Sequence, residues 1–144
     1  MTRSDRCGAF TLLELVIALA AAAIVAAFAL PGWREQIARG HRIDAVAAIY
    51  RAAQFIDMQA TSMTALPAGF DRAPATGPPA YRLHLLPADE SNGGYAIAAD
   101  PVESGPMRGD ACGAFVLDAT GARSNQVAGG SVAAATSQMC WRDR

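Results

Sequence analysis

A chain of 144 residues carries 12 basic residues, all arginine, against 13 acidic ones, for a formal net charge of −1. That length holds one domain, and that balance excludes a protein that coats bulk nucleic acid through its overall charge. Hydrophobic residues make up 52% of the chain, and their concentration at one end is the first organising feature.

Residues 1–9 are short and polar, with Arg3 and Arg6 around Asp5. From Phe10 to Leu30 the sequence is apolar except for Thr11 and Glu14. At about 1.5 Å per residue this run spans roughly 31 Å as a helix, close to the hydrocarbon core of a bilayer. The arginines ahead of it fit a targeting segment whose basic end stays cytoplasmic. A secretory signal would place small residues after the apolar block, but Ala29-Leu30-Pro31 is a poor cleavage site. Here Gly8 and Ala9 precede the block, so the usual order is reversed. Glu14 is the second anomaly: an unpaired carboxylate in hydrocarbon costs several kcal/mol, so it calls for a partner.

Pro31 and Gly32 should bend or loosen the helix. Beyond them Ile43, Val46, Tyr50, Ala53, Ile56, Ala60 and Met63 recur at helical spacing, with Arg42, Asp44, Arg51, Gln54 and Asp57 between them as a solvated face. The helix is expected to end near Leu66, before Pro67 and Gly69. Residues 67–80 hold four prolines and two glycines and read as a loop. Strand candidates come next at Tyr81–Leu86, Gly94–Ala99, Ala114–Leu117 and Ala122–Val127, with Asp118–Gly121 as a hairpin turn between the last two. The fold class is α+β: a long helix, membrane-spanning in its first half and amphipathic in its second, on a small antiparallel sheet of about four strands.

Cys7 lies in the polar leader. If the apolar segment exports the residues beyond it, Cys112 and Cys140 face an oxidising compartment and can pair; otherwise they are two buried thiols. A loop of that length would gain about 3–4 kcal/mol on closure in the chain-entropy account. His41 and His84 are far apart without Cys or carboxylate at ligand spacing, so no metal is expected. No nucleophile motif and no phosphate-binding glycine loop occurs, so neither enzyme activity nor a cofactor is expected. Arg108-Gly109-Asp110 spells an adhesion tripeptide, but beside Gly105 and Pro106 it reads as a polar loop.

Phe10-Thr11-Leu12-Leu13-Glu14-Leu15-Val16-Ile17, after a short basic leader ending in small residues, resembles the type IV pilin signature. Counted from Phe10, Glu14 and Pro31 both fall where that family places its carboxylate and its helix-bending proline. The resemblance continues in Arg39-Gly40-His41-Arg42-Ile43-Asp44-Ala45, in Asp110-Ala111-Cys112-Gly113, in Leu117-Asp118-Ala119-Thr120-Gly121 and in Cys140-Trp141-Arg142, which are similar to small type IVa and minor pilins.

The resemblance implies residues 1–9 as leader, 10–30 as filament-core helix, 31–66 as its amphipathic continuation and 67–144 as an extracytoplasmic β domain with a Cys112–Cys140 loop. It implies cleavage by prepilin peptidase between Ala9 and Phe10, or one bond earlier after Gly8, since the family has glycine where Ala9 stands. It also implies N-methylation of Phe10. Glu14 would pair with a neighbouring subunit's Phe10 amine to set axial register, and Pro31 would mark the kink. Partners would be other pilin subunits, the peptidase and the inner membrane, with the C-terminal domain periplasmic before assembly and extracellular after it. The numerous alanines of 18–29 leave a smooth helix surface that suits close packing, and Ala23 stands where pilins often have glycine. A minor pilin is the leading expectation, ahead of a type II secretion pseudopilin, a class that usually lacks the cysteine pair. A DNA-uptake pilin ranks third, because the chain beyond the leader is slightly acidic; nucleic acid is thus not expected as the main partner.

Overall fold

The computed structural model describes residues 10–59 and 63–142; Cys7, Gly8 and Ala9 lie outside the described residues. The helix α1 (Leu12–Met58) is followed by β1 (Arg72–Ala73), β2 (Tyr81–Leu86), β3 (Ala96–Pro101), β4 (Ala114–Asp118), β5 (Arg123–Val127), β6 (Gly130–Ser131) and α2 (Ala134–Arg142). The chain divides after Gln36 into two compact units.

The first unit carries the apolar part of α1. A stretch within this helix is long and apolar enough to cross a membrane, with a mean hydropathy of 2.6, and none of that stretch is buried. Phe28 is 82% exposed and Trp33 68%. Pro31 and Gly32 lie inside the helix rather than ending it: a proline removes one backbone bond and bends a helix without necessarily terminating it.

In the second unit, residues 37–58 of α1 form one layer and the sheet the other. The six strands run as an antiparallel meander in chain order. Register places Leu83 opposite Ala99 and Ala99 opposite Phe115, with Ile97 opposite Leu117. These residues and Tyr81 share the face that packs on Ala45, Ala48, Ile49 and Ala52 of the helix. Three of those four helix residues are alanines, so the backbone of α1 can approach the sheet closely. The large side chains come from the sheet: Tyr81 and Phe115 are fully buried and meet edge to face at 6.0 Å. Each such burial contributes about 1.5–3 kcal/mol. On the opposite face Ala96, Ala98 and Val116 form a small separate cluster with Leu86.

Three expectations need correction. The helix ends at Met58 rather than near Leu66; Thr61, Ser62 and Thr64 are weak helix formers and the sequence turns polar before the proline. The sheet has six strands, not about four. The two extra ones are two-residue edges, and β1 lies inside the stretch read as loop. The buried stripe of α1 is rotated from the expected one: Ile43 is 41% exposed, whereas Arg42, assigned to the solvated face, is 8% exposed.

Arg42 is buried because it has a partner. Its Nη2 donates to Asp110 Oδ2 at 2.6 Å and its Nε to Asp110 Oδ1 at 3.2 Å, with side-chain exposures of 10% and 8%. This two-point geometry is the strong form of a guanidinium–carboxylate pair. Tyr81 lies close by, where burial first and then the Asp110 charge push its phenol ionisation well above the ordinary range.

Cys112 and Cys140 are disulfide-bonded, so the pairing alternative is the correct one. At Gly113 the backbone has φ +58° and a Cβ would collide with the Gln126 carbonyl. Only glycine allows β5 to come this close beside the bridge.

Truncating Arg42 leaves Asp110 buried and unpaired. Arg42→Ala should therefore destabilise the domain by about 3–5 kcal/mol, while Arg42→Met with Asp110→Leu should cost much less than the two single changes together. Urea unfolding of the four proteins measures this coupling.

Candidate functional site

Two regions carry side chains with chemistry to offer. The first is the start of α1. Thr11 Oγ1 accepts the Glu14 backbone N–H at 3.2 Å, and the Thr11 carbonyl accepts the Leu15 N–H at 3.2 Å. Thr11 is thus the N-cap and Glu14 the third helical residue, the T-x-x-E arrangement of a capping box. Thr11 is absent from the residues singled out by sequence, although Thr11-Leu12-Leu13-Glu14 is legible as a cap. Phe10 is 80% exposed immediately ahead of the cap, and the helix dipole favours a carboxylate in this first turn.

The second region is built by the C-terminal part of the chain. The turn after β4 is set by Asp118, whose Oδ1 accepts from Thr120 N at 2.9 Å, Thr120 Oγ1 at 2.6 Å and Ala122 N at 2.9 Å. The Thr120 hydroxyl, and then the amides of Ala122 and Thr120, hold this carboxyl below its ordinary value. The turn delivers Arg123 as the first residue of β5. Its guanidinium carbon lies 5.7 Å from the centroids of both Tyr50 and Trp141, within the range of cation–π attraction. Trp141 in turn meets Phe115 edge to face at 5.3 Å and Tyr50 at 6.5 Å.

Trp141 belongs to α2, a nine-residue helix with no counterpart among the elements expected from sequence. Two ties fasten it to the sheet. One is the Cys112–Cys140 bridge. The other is buried Asn125 of β5, which accepts from Ser137 Oγ at 2.7 Å and donates to the Cys112 carbonyl at 2.9 Å. Arg123, Ser137, Gln138, Trp141 and Arg142 thus line one cleft of about 350 Å³, and its lining contains no carboxylate. At the other end of β4 and β5 a larger open groove of about 1050 Å³ has the opposite character, with Asp100, Glu103 and Asp110 against Arg108 alone.

The structure places the remaining candidates plainly. His84 Nδ1 lies 3.2 Å from Asp100 Oδ2, both side chains about half exposed, and no metal-ligating cluster occurs among the described residues. In the adhesion-like tripeptide, Asp110 is committed to Arg42 and to the Cys112 N–H at 3.0 Å. A surface receptor would not find that carboxylate free.

Residues 4–30 match the prokaryotic N-terminal methylation motif. Residues 31–116 match the family described as type IV minor pilin ComP, DNA uptake sequence receptor. No curated protein matches the chain. The second match ends within β4, so Arg123, Gln138, Trp141 and Arg142 lie beyond it.

Asp118→Ala should lower stability by about 1 kcal/mol, since its hydrogen bonds hold the turn. The sign of the pH effect comes from the lowered carboxyl: its contribution is present above about pH 4, the unfolded value, and is lost as pH falls through the lower folded value. Thermal unfolding of wild type and variant between pH 7 and pH 2 should therefore converge at the acid end.

Proposed function

We propose that this chain, which belongs to the type IV minor pilin ComP family, is an exported DNA-uptake pilin. Its apolar N-terminal helix holds it first in the inner membrane and then in a filament of pilin subunits, while the 37–144 unit contacts DNA. It acts by binding and assembly rather than by catalysis. The observation that carries this reading is the conjunction, in one chain, of an N-terminal methylation motif over 4–30 and the minor-pilin match over 31–116. The match moves the DNA-uptake reading ahead of the adhesive and secretory ones, although the composition ranks it lower. A net charge near zero does not oppose it, because a polyanion responds to the local field of a patch rather than to the sum over the molecule.

In this reading prepilin peptidase cuts between Ala9 and Phe10 and the new Phe10 amine is methylated. The positive amine lies next to the capped first turn that carries Glu14, and in a bundle of identical helices a neighbour's amine neutralises that carboxylate. The exposed apolar surface of α1 is then covered by other subunits.

The DNA arm is tested with the full chain in detergent and a labelled duplex, monitored by fluorescence anisotropy. Binding should be present at about 50 mM salt and fall steeply toward 200 mM. Absence of binding at low salt, with a folded protein, overturns the DNA reading.

The assembly arm is tested at Glu14. Glu14→Ala removes a charge from the apolar span, so membrane insertion should hold or improve, yet incorporation into filaments should fall. Glu14→Gln should behave like Ala if charge pairing is what matters. Intact mass of the extracted protein should give a chain beginning at methylated Phe10. Normal assembly of both variants in a strain without the wild-type copy removes Glu14 from the register-setting role.

A further inference from the structure

We propose that Asn92-Gly93, in the loop joining β2 to β3, is a fold-gated modification site. The side-chain amide of Asn92 is lost by reaction with the Gly93 backbone nitrogen when the loop opens, and is kept while the loop is closed. The inference is independent of the DNA-uptake reading and concerns the ageing of the domain rather than its ligands.

The chemistry needs only this chain and water. Asparagine is a thermolabile residue, and most so before glycine, where no Cβ hinders the following nitrogen. The Gly93 nitrogen loses its proton and attacks Asn92 Cγ. A C–N bond forms, the Cγ–Nδ2 bond breaks, and the side-chain nitrogen takes up a proton and leaves as ammonia. Water then opens the cyclic imide at either carbonyl, leaving an aspartate or its β-linked isomer. The other asparagine of the chain, Asn125, is followed by Gln126, so it serves as an internal control.

The closed loop blocks the first step. Asn92 is 6% exposed, and both polar atoms of its side chain are engaged. Nδ2 donates to the Pro87 carbonyl at 2.8 Å, and Oδ1 accepts from the backbone N–H groups of Asp89 and Gly94, each at 3.1 Å. The backbone is held as well: the Asn92 N–H donates to Asp89 Oδ1 at 2.9 Å, and its carbonyl accepts from the Ala119 N–H at 3.1 Å. Turning Cγ onto the Gly93 nitrogen breaks the side-chain bonds together. Burial also keeps out the water that would take the Gly93 proton and solvate the leaving amide.

The same contacts explain why a labile pair stands here. Gly93 has φ +71°, and a Cβ on it would lie 2.8 Å from Thr120 Cγ2, so the residue after Asn92 must be glycine. Position 92 needs a side chain that accepts from two amides and also donates to a carbonyl. Asparagine does both, and an ionised aspartate cannot donate. The product is therefore not a neutral substitute. Its carboxylate would face the Pro87 carbonyl with no proton to offer, close to the Asp89 carboxylate, and the tie through Ala119 to the β4–β5 turn would loosen.

The experiment incubates the full chain in detergent at neutral pH with the bridge intact, either folded or in enough urea to unfold the 37–144 unit. Peptide mass then follows residues 92 and 125. Unfolding should speed loss of the Asn92 amide by about tenfold or more, because reaction from the folded state waits on loop opening. Asn125 should stay intact in both. Asp89→Ala removes the acceptor of the Ser91 and Asn92 N–H groups, so it should raise the folded-state rate toward the unfolded one and leave the rate in urea unchanged. Asn92→Asp, standing in for the product, should lower the thermal midpoint.

Equal rates in the folded and unfolded chain overturn the gate, and this comparison holds whether or not Asp89→Ala folds. Loss at Asn125 rather than Asn92 in urea overturns the site. A folded Asp89→Ala protein that keeps its amide as long as wild type removes the gate from this loop. An Asn92→Asp protein as stable as wild type overturns the structural cost assigned to the product.

Discussion

The buried pair between Arg42 and Asp110 is the constraint on which the rest of the sheet-bearing unit depends. Asp110 receives two bonds from a helix residue and one from the Cys112 backbone, so a single carboxylate joins α1 to the residue that starts the bridge. Cys112 is then bonded to Cys140, and its carbonyl is held by Asn125, which also holds Ser137. Each element after Asp110 takes its place from the one before it. Buried ion pairs add little net stability compared with apolar replacements. What this one supplies is a fixed relation between the helix and the loop, through a geometry that tolerates little sliding.

The features legible in the sequence are those that repeat locally. The apolar run from Phe10 to Leu30, the alternating Tyr81–Leu86 strand and the Asp118–Gly121 turn each declare themselves through periodicity or turn chemistry, and the structure has all three. Arg42 defeats such reasoning because periodicity assigns charge to the surface by default, and the carboxylate that draws it inward is 68 residues away. Helix α2 is hard to read because Ala133-Ala134-Ala135-Thr136-Ser137 carries no contrast between faces. A helix of nine residues is marginal alone, and its order comes from the bridge and from Asn125. The cleft is invisible for a related reason, since Tyr50, Arg123 and Trp141 meet only after three elements have packed. One signal is available: charge counted by segment rather than over the whole chain.

Local charge also reconciles composition with family. A chain with a net charge of −1 looks unsuited to a polyanion, yet the cleft beside Arg123 and Arg142 has no carboxylate in its lining. The strands β4 and β5 separate a groove bearing Asp100 and Glu103 from a cleft bearing Arg123 and Arg142.

The two-residue edge strands have a consequence of their own. A sheet whose outermost strands were long would present rows of free N–H and C=O groups, a template for another chain to extend. Here β1 and β6 pair for only two residues each, so neither outermost strand offers a long template. Subunits crowded together in a membrane could not zip edge to edge into a continuous sheet. Contacts among them are left to the helix, whose backbone bonds are satisfied internally. A joint made from side chains alone can be formed and undone without any subunit opening its own fold.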